Sequence, residues 1–275
     1  MASAASLAAF LWVVLPTSVL RSLGWRSTQD IEQELLQPRT KHFAEFFCGT
    51  GGLVAALSRE GMRCAWFDIN LETSHDMLSS TGIAVAVRIA LSVIPGGVVW
   101  FGVPCSTFVW IARGHTRRCR DNPLGDVART DVRRANRIAS TVAMLCRVLS
   151  RRGVFFVMEQ PAGSILWRMP CMRLVARRLR VKGQKWSRRF VWLGAYGHQI
   201  CKPTELRGVF PNLARILPSR RPRGKSATGV YRVWVSKKSG RTRICGSAGL
   251  KRTEHYPKQF CRAVACEVAK CIANV

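Results

Sequence analysis

The stretch FFCGTGGL, from Phe46 to Leu53, decides the fold that this sequence predicts. It ends an aromatic run, HFAEFF at 42–47, and leads into LVAALSREG, in which Leu53, Ala56 and Leu57 recur at helical spacing. A strand, a glycine turn and a helix are therefore expected in this order. Glycines in such a turn let the backbone approach a ligand closely, next to the amides of the helix N-terminus. The spacing is not GxGxxG, so a dinucleotide is not the favoured ligand.

The alternation of strands and helices continues along the chain. Short apolar segments at 63–70, 82–89 and 96–104 are expected to be strands, as is GVFFVMEQP at 153–161. Between residues 126 and 152, apolar side chains repeat on one helical face. This pattern predicts an α/β fold with a mostly parallel sheet of the Rossmann-like kind. Ligands of such folds bind outside the carboxyl ends of the strands.

Charge is the most unusual bulk property of the chain. The sequence holds 44 Lys and Arg against 15 Asp and Glu, a formal net charge of +29 over 275 residues. From residue 172 onward, 25 residues are basic and 3 are acidic. We expect a polyanionic partner, because phosphate backbones are the commonest target of such a surface. A general arginine bias is the alternative explanation of this charge.

Cysteine usage bears on the compartment and on metal binding. The 11 cysteines are odd in number, and no pair has the CxxC spacing of a structural zinc site. We therefore expect reduced thiols, no metal ion and an intracellular protein. The nucleus is the expected compartment, and a monomer is the expected state.

Composition divides the chain into four parts. Residues 1–40 form an extension whose apolar segment, Ala5–Leu20, could be a leader, a short anchor or a helix packed on the domain. It lacks a basic n-region and falls short of a comfortable membrane span, so no stable span is expected. An α/β domain is expected at 41–199, a small basic region at 200–252, and a helix returning to the domain at 253–275.

Three side chains at the predicted strand ends could carry chemistry. Cys105 follows Pro104, which fixes the backbone ahead of it, and arginines of the next loop would favour a thiolate. Glu159 ends an apolar strand, where desolvation raises the pKa of a carboxyl and lets it donate a proton near neutral pH. Asp68 ends another strand, where a carboxylate can accept hydrogen bonds from ribose hydroxyls. The structural alternatives are a core cysteine, an arginine-paired glutamate and a capping aspartate.

Several segments in a fixed order resemble the C5-cytosine methyltransferase family. They are FFCGTGG at 46–52, WFDIN at 66–70, GVPCSTF at 102–108 and VMEQP at 157–161. YPKQFCRAVA at 256–265 is similar to the last motif of that family. The resemblance implies a Rossmann-like methyltransferase fold, with 41–199 as the catalytic domain and 200–252 as the substrate-recognition region. It also implies S-adenosylmethionine as cofactor and DNA ahead of RNA as the substrate.

The resemblance also implies a role for each site residue. Cys105 would attack C6 of cytosine and form a covalent adduct, Glu159 would hold or protonate N3, and Arg188 would contact O2. In a duplex, the target base would have to leave the stack. The residues that would hold the cofactor are Phe47, Cys48, Gly49, Thr50, Gly51, Gly52 and Asp68.

The sequence departs from the family at several positions. Ser106 stands where the family has glutamine, and Gln160 and Pro161 replace the neighbours of its glutamate. The eighth motif is reduced to QKWSR at 184–188, and Arg88 stands where the third motif offers an aspartate to the adenine. Loss of that acceptor supports a second hypothesis, an inactive relative that binds nucleic acid without transferring a methyl group. An unrelated α/β protein with structural cysteines is a third.

Overall fold

A computed structural model describes residues 2–216, 222, 231–236, 240, 242–246 and 253–274. The strands are β1 (Lys41–Phe46), β2 (Cys64–Phe67), β3 (Val93–Phe101), β4 (Phe155–Pro161), β5 (Ser187–Trp192), β6 (Pro203–Val209), β7 (Tyr231–Val235) and β8 (Thr242–Gly246). Six of them form one sheet in the order β2-β1-β3-β4-β6-β5, and β7 pairs with β8. Neighbours among β1 to β4 are parallel, whereas β6 is antiparallel to both β4 and β5.

This strand order creates a switch point between β1 and β3. The chain runs from β1 to β2 on one side and then returns to β3 on the other side, each time through a helix. Parallel strands covered on both faces are apolar throughout, and Phe43, Phe46, Val99 and Phe101 are accordingly fully buried. The carboxyl ends of these strands meet at one edge, where an α/β fold binds its ligands. This is the Rossmann-like α/β class that the sequence predicts.

Helices cover both faces of the sheet. They are α1 (Ala4–Val14), α2 (Thr17–Leu23), α3 (Thr28–Leu36), α4 (Gly52–Arg59), α5 (Ser80–Ser92), α6 (Arg113–Thr116), α7 (Thr130–Arg151), α8 (Pro170–Val181) and α9 (Lys258–Ile272). On one face α4 packs against α9, with Leu53, Leu57, Phe260 and Val264 in a shared core. On the other face α5, α7 and α8 share a larger core with the N-terminal helices. α9 also packs against β3 of the sheet.

The segment at 82–89, expected to be a strand, is helical in the structure. It lies inside α5, which begins directly after Ser79. The hydroxyl of Ser79 caps the helix, since it accepts a hydrogen bond from the amide of Gly82 at 2.9 Å. Gly82, Ala86 and Ala90 are all buried. Their spacing of four residues marks one face of a helix, whereas the short apolar run by itself is equally typical of a strand. The prediction of a strand there was wrong.

The apolar segment near the N-terminus belongs to the core. Leu7, Leu11, Val19 and Leu23 of α1 and α2 are buried in the larger core. α1 packs against α3 and α7, and α2 packs against α5. The segment is therefore a pair of helices packed on the domain. Within the part of the chain that the structure describes, no helix combines the length and apolarity needed to cross a membrane.

The basic region expected at 200–252 begins later than the sequence suggests. Its first part is β6 of the main sheet, and Leu213 and Ile216 beyond that strand are buried in the smaller core. In the same region β7 pairs antiparallel with β8. Most of 217–252 lies outside the described residues, and so does the predicted recognition surface.

Candidate active site

The glycine turn between β1 and α4 has an unusual backbone. Phe47, Gly49 and Gly51 have positive φ angles of 58°, 55° and 66°. Glycine adopts this region at little cost, but a phenylalanine is strained there. The amide of Phe47 donates a hydrogen bond to the carbonyl of Phe67 at 2.7 Å, which holds it in place. A Cβ at Gly49 or Gly51 would meet nothing within 4 Å, so the turn borders open space.

Asp68, at the end of β2, fixes the glycine turn from the neighbouring strand. Its Oδ2 accepts a hydrogen bond from the amide of Gly49 at 2.8 Å. Its Oδ1 accepts bonds from the backbone and side-chain amides of Asn70, at 2.8 and 3.0 Å. A carboxylate has about four acceptor positions, so Asp68 can still accept a bond from a ligand hydroxyl.

A cavity of about 940 Å³ opens at the carboxyl ends of the central strands. The glycine turn, Asp68, Cys105 and Glu159 all contribute to its wall. Among the residues expected to bind the cofactor, those that line it are Phe47, Cys48, Gly49, Thr50, Gly52 and Asp68. Gly51 shapes the turn without lining the cavity. The fold thus brings the nucleophile candidate, the acid candidate and the glycine turn into one site, which we call the switch-point cavity.

Hydrogen bonds hold the loop of Cys105 against the segment that ends β4. Nε2 of Gln160 donates to the carbonyl of Val103 at 2.5 Å, and the amide of Ile165 donates to the carbonyl of Phe108 at 2.9 Å. The amide of Phe108 also donates to the carbonyl of Cys105 at 2.8 Å, which closes a turn. Gln160 is a departure from the motif that the chain resembles, and in this fold it positions the loop of Cys105.

The thiol of Cys105 is half-buried and protonated at neutral pH. Burial is the main cause that raises its pKa to about 11, and the carboxylate of Glu159 adds to the rise. The ammonium group of Lys202, near the start of β6, acts in the opposite direction. Because the thiolate is the nucleophilic form, Cys105 must lose its proton before it can attack a substrate.

Loop arginines that were expected to favour a thiolate lie elsewhere. Arg113 and Arg120 line a different cavity, and Arg118 points into the core. Arg134 and Lys202 both line the switch-point cavity, and of these two Lys202 lowers the pKa of Cys105. The thiolate of Cys105 is therefore favoured by a lysine next to β6, and not by the arginines that follow Cys105 in the sequence.

Glu159 is buried in the cavity wall and uses only one of its two oxygens. Oε2 accepts a hydrogen bond from the hydroxyl of Tyr256 at 3.2 Å, and that hydroxyl accepts one from Nε1 of Trp100 at 3.2 Å. Oε1 has no partner among the described residues. Burial raises the pKa of Glu159, against the opposing effects of Lys202 and Tyr256. A carboxyl with a raised pKa and an unused oxygen can donate a proton to a ligand.

Two residues that the motif resemblance singles out lie outside this cavity. Arg188, on β5, forms an ion pair with Glu205 of β6 and lines the different cavity, so it is not brought together with Cys105. Arg88 lies on α5, where its Nη2 donates to the carbonyl of Leu23 at 2.9 Å. The placement of Arg88 in an adenine pocket is therefore wrong. A short local match cannot show which way a helix face points, and α5 turns Arg88 toward the N-terminal helices.

Sequence reasoning missed several residues of the switch-point cavity. They are Asn70, His75, Asp76, Lys202 and Tyr256. The first three lie between β2 and α5, where polar and acidic residues after the WFD segment were the available signal. Tyr256 begins the segment that resembles the last family motif, but nothing local links it to Glu159. Lys202 carries no signal at all, since it is one of many cations in a basic region.

The glycine-turn end of the cavity fits S-adenosylmethionine in its chemistry. Asp68 and Asp76 offer carboxylates for hydroxyl and amino groups, and Ile69 and Met77 offer apolar surface for an adenine ring. The open space beside Gly49 leaves room for a ligand against the backbone. These residues could therefore hold the cofactor. Among the described residues, no group of three His, Cys, Asp or Glu side chains is arranged to hold a metal ion.

The fold and the cavity define an α/β protein with a ligand-sized site at the switch point of its sheet. No known protein family matches the chain, and no curated protein matches it in sequence. Among solved structures, the methyltransferase EhMeth from Entamoeba histolytica is similar, with a TM-score of 0.39 and 12% sequence identity. The likeness covers 62% of this chain and 53% of that one, so the chain spans about half of its length. A likeness at this level identifies neither the family nor the activity of this chain.

Proposed function

We propose that this protein transfers a methyl group from S-adenosylmethionine to C5 of cytosine in nucleic acid, with DNA ahead of RNA as substrate. One observation carries the proposal: Gly49, Asp68, Cys105 and Glu159 line a single cavity, as the motif resemblance implies. Its volume of about 940 Å³ lies in the range of about 300–1,000 Å³ that is usual for small-molecule sites.

Cys105 supplies the nucleophile of the proposed reaction. After the thiol loses its proton, the sulfur bonds to C6 of cytosine and the C5–C6 electrons form a double bond between C4 and C5. The C4–N3 electrons move to N3, which takes up a proton. C5 would then bond to the methyl group as the bond from that group to the sulfonium sulfur of the cofactor breaks. Loss of the C5 proton to solvent and departure of the Cys105 sulfur would restore the C5–C6 double bond, and N3 would return its proton to Glu159. Lys202 favours the thiolate because its positive charge lowers the pKa of Cys105.

Glu159 supplies the proton that N3 takes up. Its raised pKa keeps the carboxyl protonated at a higher pH than usual, and its Oε1 is unused by the described residues. The Tyr256 hydroxyl holds the other oxygen at 3.2 Å and so fixes the plane of the carboxyl group. A proton donor that is already oriented lowers the cost of placing negative charge on the ring.

The glycine turn provides the cofactor end of the proposed site. S-adenosylmethionine, when bound, supplies the methyl group. Gly49 leaves space for close approach, and Asp68 can accept one more hydrogen bond, which suits a ribose hydroxyl. Asp76 offers a second acceptor within the same cavity.

Nucleic acid is the proposed partner because of the charge of the chain. The net charge of +29 suits a phosphate backbone. A base inside a duplex does not present C6 to a thiol, so the target cytosine must leave its stack. Action as a nuclear monomer is part of this proposal.

An inactive relative that binds nucleic acid is the second candidate function. Its first argument, an arginine in the adenine pocket, fails because Arg88 lies on α5 beside Leu23. The observation that favours it is the pKa of Cys105 at about 11, since only a small fraction of the thiol ionises at neutral pH.

A covalent trap tests the proposal. The protein is incubated with S-adenosylmethionine carrying a tritiated methyl group and with a DNA or RNA oligonucleotide that contains 5-fluorocytosine. Fluorine at C5 cannot leave as a proton, so the adduct persists. We expect a labelled complex that resists denaturation, with the crosslink on Cys105. The nucleic acid that traps the protein identifies the substrate class.

Two serine variants provide the matched controls for the trap. Cys105→Ser should abolish the adduct while oligonucleotide binding is kept. Cys119→Ser, at an exposed cysteine beyond α6 that does not line the cavity, should trap as the wild type does. Titration calorimetry with S-adenosylmethionine completes the test. Absence of an adduct together with absence of cofactor binding, while nucleic acid still binds, would establish the inactive relative instead.

A further inference from the structure

A second cavity, of about 1040 Å³, adjoins the switch-point cavity, and we call it the arginine cavity. Its charged side chains are those of Arg113, Arg120, Arg168, Arg173, Arg188, Arg207, Asp121 and Glu205. The same two loops supply both cavities: Ile111 lines the first and Arg113 the second, and Ala162 lines the first and Gly163 the second. A ligand that leaves the switch-point cavity along these loops therefore meets the arginines.

The positive charge of the arginine cavity is largely uncompensated. Glu205 is buried and already engaged, because both Arg188 and Arg207 form ion pairs with it. Within the part of the chain that the structure describes, four arginines of this cavity form no ion pair: Arg113, Arg120, Arg168 and Arg173. A guanidinium group presents donors in a planar fork that matches a phosphate group. The cavity therefore carries six guanidinium groups against the two carboxyl groups of Asp121 and Glu205. A phosphorylated ligand would supply the missing negative charge.

Trp167 adds an observation that is independent of the charges. It lines the arginine cavity, and its indole N–H is buried without an acceptor among the described residues. The guanidinium of Arg207 lies 4.7 Å from the centre of its ring, which fixes the ring in the wall. A buried donor without an acceptor costs free energy, so a ligand oxygen that reached this N–H would recover that cost.

We propose that the arginine cavity binds phosphate groups of the nucleic-acid strand whose cytosine enters the switch-point cavity. This inference rests on the proposed function, because the strand is assigned through the reaction at Cys105. The volume exceeds what one phosphate group needs, and the two cavities share their loops, so a sugar–phosphate chain is the ligand that matches both features. Phosphate contacts position a strand without reading its sequence.

Two variants test this inference. Arg173 and Arg177 are both exposed and lie one turn apart on α8, but only Arg173 lines the arginine cavity. Binding of a fluorescein-labelled oligonucleotide is measured by anisotropy from 50 to 300 mM salt for Arg168→Gln/Arg173→Gln and for Arg177→Gln. We expect the double variant to bind roughly tenfold or more weakly, with a slope of log Kd against log salt that is lower by about one for each phosphate group that is no longer neutralised. Arg177→Gln should stay within about twofold of the wild type.

Each outcome decides the inference. An equal loss of affinity per removed charge in the two variants would overturn it, because the arginines would then act only through net charge. Full competition by millimolar inorganic phosphate would also overturn it, since the cavity would then hold a free anion.

Methyl transfer, measured in parallel, separates the two proposals. If the wild type transfers no methyl group but binding depends on the arginine cavity, the proposed reaction fails and phosphate binding stands. If the wild type transfers the methyl group and the double variant has the same KM for the oligonucleotide as the wild type, the phosphate-binding inference is wrong while the proposed reaction stands.

Discussion

The hydroxyl of Tyr256 donates a hydrogen bond to Oε2 of Glu159 at 3.2 Å, across 97 residues of sequence. This bond lowers the pKa of Glu159 against the rise that burial causes. The other oxygen of the carboxyl group, Oε1, has no partner among the described residues. The carboxyl group is thus held through one oxygen, while the other is buried without a hydrogen-bond partner among the described residues.

Tyr256→Phe should weaken catalysis and shift its pH dependence. Without the hydroxyl, the pKa of Glu159 rises further, so the decline of kcat/KM at high pH should move to higher pH. We expect kcat to fall by about 10- to 150-fold, since a hydrogen bond to a charged group contributes about 1.5–3 kcal/mol. Methyl-transfer rates from pH 6 to 10 provide the measurement. Tyr196→Phe is the control, because the buried hydroxyl of Tyr196 has no partner among the described residues. Identical profiles for both variants would contradict the role of Tyr256.

Lys202→Met should make Cys105 less reactive in the protein without any ligand. The charge of Lys202 lowers the pKa of the thiol, so its removal raises that pKa above about 11. At pH 9 we expect alkylation of Cys105 by iodoacetamide to slow by roughly three- to tenfold, which corresponds to up to about one pKa unit. Peptide mass spectrometry separates Cys105 from the other thiols. Lys202→Arg keeps the charge and should react at nearly the wild-type rate, and a decrease as large as that of the methionine variant would exclude an electrostatic cause.

The buried carboxyl of Glu45 should make the protein less stable as pH rises. Burial raises its pKa to about 8 from an ordinary value of 4.5, so between these pH values the folded protein keeps a proton that the unfolded chain releases. The free energy of unfolding therefore falls with pH in this window, by at most about 1.4 kcal/mol per pH unit, and levels off above it. Glu45→Gln should remove this pH-dependent component. The free energy of unfolding of the variant, relative to that of the wild type, should therefore increase from pH 5 to pH 8.

Urea unfolding at pH 5, 6.5 and 8 measures this difference. The glutamine keeps an oxygen that can accept the bond from the amide of Val54, which Glu45 accepts at 3.1 Å. Glu60→Gln, at an exposed position, controls for the removal of one carboxyl group. Parallel pH curves for the wild type and the Glu45 variant would refute a buried titrating group.

Leu11→Ala tests whether the N-terminal helices belong to the folding unit. Leu11 is fully buried, so truncation leaves a cavity and should cost about 2–5 kcal/mol in the free energy of unfolding. Leu36→Ala makes the same chemical change at a side chain that is 75% exposed, and should cost less than about 0.5 kcal/mol. Chemical denaturation followed by circular dichroism gives both values. Equal and small costs would show that α1 does not contribute to the cooperative core.

The sequence by itself determined the parts of this protein that depend on local chemistry. Three local features could be predicted from the sequence. They are the glycine turn after an aromatic strand, the acid at the end of β2, and the positions of Cys105 and Glu159 at strand ends. Each depends on a short segment whose period or glycine content limits the backbone. The carboxyl ends of parallel strands meet at one edge, so their shared cavity followed from the order of the elements.

Only the tertiary structure decided which distant side chains complete the site. Lys202 and Tyr256 reach the cavity through β6 and the start of α9, and no local pattern couples them to Cys105 or Glu159. Arg188 lies outside the site because of another contact between distant segments: the antiparallel pairing of β5 with β6 places it against Glu205. Segment 82–89 is a helix because burial on one face outweighs its strand-like composition. Contacts between remote elements set these outcomes, and their energies are not encoded in any single segment.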